Sequence, residues 1–123
     1  MRSAYRVAVS EEDRSKADLV VQIVGLRFGL PATAIRADGR LSRAALRARR
    51  VAMYLAYVSF EWPQERVAHA FEVNRQTAAV ACVRIEDARD SPELNTLLNE
   101  LEGAIHAIMG RPGDGPPGVP VAA

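Results

Sequence analysis

Residues 45–86 read ALRARRVAMYLAYVSFEWPQERVAHAFEVNRQTAAVACVRIE, and their periodicity decides the fold. Val51, Tyr54, Leu55 and Val58 recur at i, i+3, i+4 and i+7, the spacing of one helix face. The spacing predicts a helix over 44–59. Pro63 opens a second helix over 63–71, whose inward residues are Val67, Ala68 and Phe71. After a three-residue break, Ala78, Ala81, Cys82 and Ile85 repeat the helical spacing over 75–89. Two short helices joined by such a turn pack closely when small residues sit where they cross, as Ala68 does here. Residues 64–83 fit this helix-turn-helix pattern, with Val67, Phe71, Val73, Ala78 and Ala81 as its core. Glu72 occupies the turn position that usually carries glycine, and a positive φ there costs a glutamate about 1 kcal/mol.

Outward from that segment, Ser10 followed by Glu11, Glu12 and Asp13 marks a helix start, with a capping serine and acids in the first turn. The run ADLVVQIVGLRFGL is apolar nearly all round and predicts a buried helix over 11–28, stopped at Gly29. Pro31 begins a short helix to Arg36. Leu94, Leu97, Leu98, Leu101, Ile105 and Ile108 make the stripe of a last helix over 92–109. No window alternates with period two, so the expected class is all-α, a compact multi-helix domain. Residues 1–10 read as a short tail. From Gly110 the chain is mostly glycine, proline and alanine, a composition that implies a disordered tail over 110–123.

The chain of 123 residues suits one domain, and a net charge of +1 implies no partner by itself. The distribution of charge is more telling. All basic residues but Lys16 are arginine, whose planar fork matches phosphate oxygens and guanine edges. A GC-rich genome produces the same bias. Arg40, Arg43, Arg47, Arg49 and Arg50 fall within eleven residues with no acid among them, directly ahead of the helix-turn-helix. Such a run supplies phosphate contacts and a strong salt dependence. Asn74, Arg75, Gln76, Ala79, Val80 and Val83 face outward on the second helix if the pattern holds, and Thr77 joins them as a candidate DNA contact. That helix's amino end is the part that normally enters the major groove of double-stranded DNA. Glu86, Asp87, Asp90 and Glu93 cluster at the far end and are expected to face away from DNA.

The remaining features exclude more than they suggest. Cys82 is the only cysteine and falls on an apolar stripe, which predicts burial. Phe60 and Trp62 read as a core plug, and His69 as a surface histidine. Met1–Ser10 lacks the apolar core of a signal peptide, and no run is long enough to span a membrane, so a cytoplasmic, nucleoid-associated protein is expected. No nucleophile, acid–base pair, metal set or cofactor loop assembles in the sequence. The expectation is a non-enzyme with no cofactor.

The string ARRVAMYLAYV at 48–58 resembles the ARQIAMYLARE signature of the C-terminal DNA-binding domain of the bacterial chromosomal replication initiator DnaA. VQIVGLRFGLPATAIRADGR at 21–40 is similar to that family's opening helices and basic loop. FEVNRQTAAVACVRIED at 71–87 lies where the family carries Phe-Gly-Arg-Asp-[His/Arg]-Thr-Thr-Val and, shortly after, Ala-Cys. The resemblance covers about residues 17–102. It implies that Asn74–Ala78 contacts bases and phosphates, and that Arg47 and Arg49 belong to a basic loop, one of them reaching the minor groove. Gln76 stands in place of a family threonine and Ala78 in place of valine, so the family's own DNA box is not carried over. No Gly-x-x-x-x-Gly-Lys-[Ser/Thr] occurs, and ATP-driven assembly is not expected of this chain. The leading expectation is a sequence-specific regulator or replication-linked factor, with a homodimer or second copy on paired half-sites. The alternative is an adaptor that keeps the fold and binds protein through Ala79, Val80 and Val83.

Overall fold

The computed structural model describes residues 9–112, and among these every regular element is a helix. The helices are α1 (Glu11–Phe28), α2 (Ala32–Ile35), α3 (Arg43–Ser59), α4 (Gln64–Phe71), α5 (Arg75–Ala88) and α6 (Pro92–Met109). The expected tails fall almost wholly outside the described residues. No described helix is long and apolar enough to cross a membrane.

Local chemistry accounts for the boundaries. Ser10, Ser42, Asn74 and Ser91 each turn a side-chain oxygen onto a backbone N–H of the first turn, of Asp13, Ala45, Thr77 and Leu94 respectively. Pro31 and Pro63 precede α2 and α4 in extended conformation, so each stands one position outside the helix it was expected to begin. Gly29 ends α1 in the left-handed region at φ 72°. Glu72 ends α4 in the same region at φ 59°, the strained turn anticipated for it.

α3 is the axis of the domain and packs against all five other helices. Residues 51–56 are buried without interruption, where the spacing had pointed to one inward face. A helix enclosed on every side has no solvent stripe left to display a period. α1 departs in the opposite direction. Ala17, Val20, Val21, Val24 and Gly25 are buried, but Leu26 is 86% exposed and Gln22 and Arg27 lie in solvent. It is one-sided and not enclosed, because only α3 and its neighbours line one flank. Ile108, expected on the α6 stripe, is also exposed. Trp62 is buried against Phe60, with ring centroids 5.0 Å apart.

Candidate nucleic-acid interface

α4 and α5 are joined by Glu72–Asn74, and the left-handed turn is closed by Val73 N–H donating to Ala68 C=O at 3.0 Å. The turn swings α5 across α3, and these two form the most extensive helix pair in the domain. Ala78, Ala81, Cys82 and Ile85 are the face of α5 that meets the core. Burial pushes the Cys82 thiol up to about 11, so at neutral pH it is a small apolar group. The opposite face is open. Its stripe carries Arg75, Gln76, Ala79, Val80, Val83 and Arg84, with Gln64 of α4 alongside. The same surface continues onto α3 through Leu46, Arg49 and Arg50, which line one groove with Asn74, Gln76, Thr77 and Val80. Farther along α5 the groove is walled by Arg43, Arg47 and Arg50 of α3 and by Arg84.

The far end of α5 is held by Arg89. Its Nε donates to Asn95 Oδ1 at 2.6 Å, Nη2 donates to Asn99 Oδ1 at 2.6 Å, and Nη1 donates to the Tyr54 hydroxyl at 3.0 Å. Nη1 also pairs with Glu102 at 2.9 Å. The Tyr54 hydroxyl donates to Glu86. Burial first, and the Glu86 contact second, raise the Tyr54 hydroxyl above its ordinary value. This network locks α5 to α3 and α6, so the angle at which its outer stripe is presented is rigidly set.

The arginines divide into two sets. Arg14, Arg36, Arg66 and Arg89 pair with carboxylates, and Arg49 with backbone carbonyls. Among the described residues Arg27, Arg40, Arg43, Arg47, Arg50, Arg75 and Arg84 carry no internal partner. Of these, Arg43, Arg47, Arg50, Arg75 and Arg84 all border the α3–α5 surface, and Arg40 is exposed in the loop entering α3. The helix ends repeat the division. α1, α4 and α6 start with acids in the first turn, whereas α3 and α5 start with Arg43 and Arg75. A cation at a helix amino end opposes the macrodipole and costs about 0.3–1 kcal/mol. Both cations lie on one surface, where a bound anion would offset that cost.

The structure sharpens several sequence expectations. The arginine run is not a loop, because Arg43, Arg47, Arg49 and Arg50 all belong to α3 and only Arg40 precedes it. Arg49 borders the same groove but spends its guanidinium on the backbone. Its Nε donates to Ile35 C=O at 2.8 Å and its Nη2 to Ala37 C=O at 2.6 Å, tying α3 to the end of α2. Burial, then the neighbouring Arg36, lower its guanidinium from the ordinary value, though an arginine stays charged. Asn74 uses its Oδ1 to accept from Thr77 N–H at 2.7 Å. That capping bond uses one acceptor lone pair of Oδ1 and leaves the other lone pair and the side-chain NH2 for further partners. Asp87, expected to face away from DNA, borders the groove beside Arg43, Arg47, Arg50 and Arg84. Leu46, Gln64 and Arg84 were missed as surface residues. Arg84 was findable, since it follows Gln76 and Val80 at four-residue steps on one helix face.

Among the described residues no group of three histidine, cysteine or acidic side chains is placed to hold a metal ion. No protein-family model matches the sequence, and no curated protein matches it.

Proposed function

We propose that this chain binds double-stranded DNA in a sequence-specific manner, as a helix-turn-helix protein of the kind found in the initiator domain it resembles. In this reading α4 and α5 are the motif and α5 is the recognition helix. Arg75 and Gln76 meet base edges at its amino end, where arginine suits guanine and glutamine suits adenine. Arg43, Arg47, Arg50 and Arg84 meet phosphates, with Arg40 at the entry to α3. Asn74 and Thr77 start the helix, and Arg49, at the edge of the same groove, ties α3 to the end of α2. A role as a transcriptional regulator or replication-linked factor in the nucleoid follows, and two half-sites bound by two copies would supply tight affinity.

One observation carries this reading: the arginines without internal partners gather beside α3 and α5, while those elsewhere are mostly paired. Unpaired cations held close together repel one another, and a polyanion relieves that repulsion. The test is binding to sheared genomic duplex at 50 and 200 mM salt, followed by selection from random duplexes. The reading requires affinity that drops steeply with salt and an enriched sequence. Failure to retain any duplex at the lower salt refutes it. A second reading, a protein adaptor, is favoured by one feature of the same surface. Leu46, Val80 and Val83 are 36%, 40% and 55% exposed, Val80 lining one groove with Leu46 and another with Val83. That reading takes the lead if duplex DNA is not bound.

A further inference from the structure

The outward stripe of α5 changes chemistry along its length. Arg75 and Gln76 open it with hydrogen-bonding groups. Ala79, Val80 and Val83 follow, and the next polar side chain on the stripe is Arg84. None of these three apolar residues belongs to the buried core. Val80 and Val83 are 40% and 55% exposed, while the other side of the same helix is filled by Ala78, Ala81, Cys82 and Ile85. Isopropyl groups cannot pair with the nitrogen and oxygen atoms of a base edge. The apolar group that a base presents in the major groove is the C5-methyl of thymine. 5-Methylcytosine carries a methyl on the same ring carbon.

Geometry brings that chemistry within reach. Arg50 and Arg84 border the two valines and are suited to the phosphates on either side. Ala79 adds almost no bulk between the helix backbone and the bases. Gln76 and Val83 are separated by about 10 Å along the helix axis. That is roughly three base steps, at about 3.4 Å each. We propose that Val80 and Val83 read the 5-methyl groups of pyrimidines, thymine or 5-methylcytosine, on base pairs adjacent to those met by Arg75 and Gln76. The proposal rests on the DNA-binding reading and names the feature of the target that the second half of the stripe recognises.

Deoxyuridine differs from thymidine only by that methyl, so it isolates the contact. The full chain is used to select a preferred duplex from random sequence. Each thymine of that duplex is then replaced singly by deoxyuridine. A buried methyl is worth about a fourfold change in affinity. A loss of that size is expected at one or two adjoining positions, with the rest unaffected. Where a contacted thymine is changed to cytosine, methylating that cytosine should regain about fourfold. Val80→Ala and Val83→Ala, both at exposed sites, should bring the thymine-to-deoxyuridine ratio towards one. Gln76→Ala should lower affinity and leave the ratio as it was. Parental helical content by circular dichroism confirms that each variant is folded. A preferred duplex whose deoxyuridine versions all bind as well as the parent overturns the methyl reading and leaves DNA binding intact. A ratio unchanged in both valine variants does the same. Absence of any duplex binding overturns the DNA-binding reading itself.

Discussion

Replacing Arg47 and Arg50 together with alanine tests the electrostatic half of the proposal most directly. The two residues are one turn apart on α3, and neither has a partner among the described residues. Their removal therefore breaks no hydrogen bond or ion pair among those residues, and alanine favours the helix. If each guanidinium meets one phosphate, each contributes about 0.9 to the slope of log affinity against log salt. The double variant should flatten the slope by about 1.8. Over a fourfold rise in salt the parent then loses about 12-fold more affinity than the variant does. Fluorescence anisotropy on a labelled duplex at several salt concentrations measures both slopes. Two controls fix the interpretation. Arg27→Ala removes an unpaired cation from α1, outside the groove, and should leave the slope unchanged. Asp87→Asn removes the carboxylate that borders the same groove, and should strengthen binding at low salt more than at high salt. Equal slopes for the parent and the double variant would refute the assignment of α3 to the phosphate backbone. Arg49→Ala is a different experiment, because it frees two backbone carbonyls and should lower stability.

Three further outcomes follow from the scaffold. Glu72→Gly should stabilise the domain by about 0.5–1 kcal/mol, because glycine adopts φ 59° without strain and the exposed pair with Arg14 at 3.5 Å is worth little. Thermal melts check this, and an equal gain from Glu72→Ala would show that charge, not backbone, is responsible. Asp13 accepts two hydrogen bonds from Arg66, each 2.8 Å, and that contact holds its carboxyl below the usual carboxylate range. The stabilisation is therefore present above about pH 4 and is lost as pH falls through the lowered folded-state pKa. Asp13→Asn should flatten the dependence of stability on pH in that acid window, with about 1 kcal/mol at stake for a pair whose arginine is half exposed. Cys82 should resist thiol reagents at pH 8 in the folded protein and react on addition of denaturant, since burial has raised its pKa to about 11. Rapid labelling of the native chain contradicts the packing of α5 on α3.

Much of the architecture was readable from local pattern. Helix spacing, serine and asparagine caps, the prolines and Gly29 set six helices within one or two residues of the observed limits, because each signal acts inside a single turn. The strained turn at Glu72 was legible for the same reason. The acid-free starts of α3 and α5 were also visible in the sequence, though their common location was not. What no local pattern carried is which side chains meet across the fold. Arg49 and Arg47 are two residues apart in one charged run, yet one is bound to the carbonyls of Ile35 and Ala37 and the other is free at the groove. Tyr54 and Glu86 are 32 residues apart, and Asp13 and Arg66 are 53 apart. Residues 51–56 are enclosed on a helix that packs against all five others, which a period read along one segment of chain cannot reveal. Asp87 was placed with the other acids by its position in sequence and beside the arginines by the crossing of α5 over α3. Periodicity records where a residue points around its own axis. Only the packing of one axis against another decides what it points at.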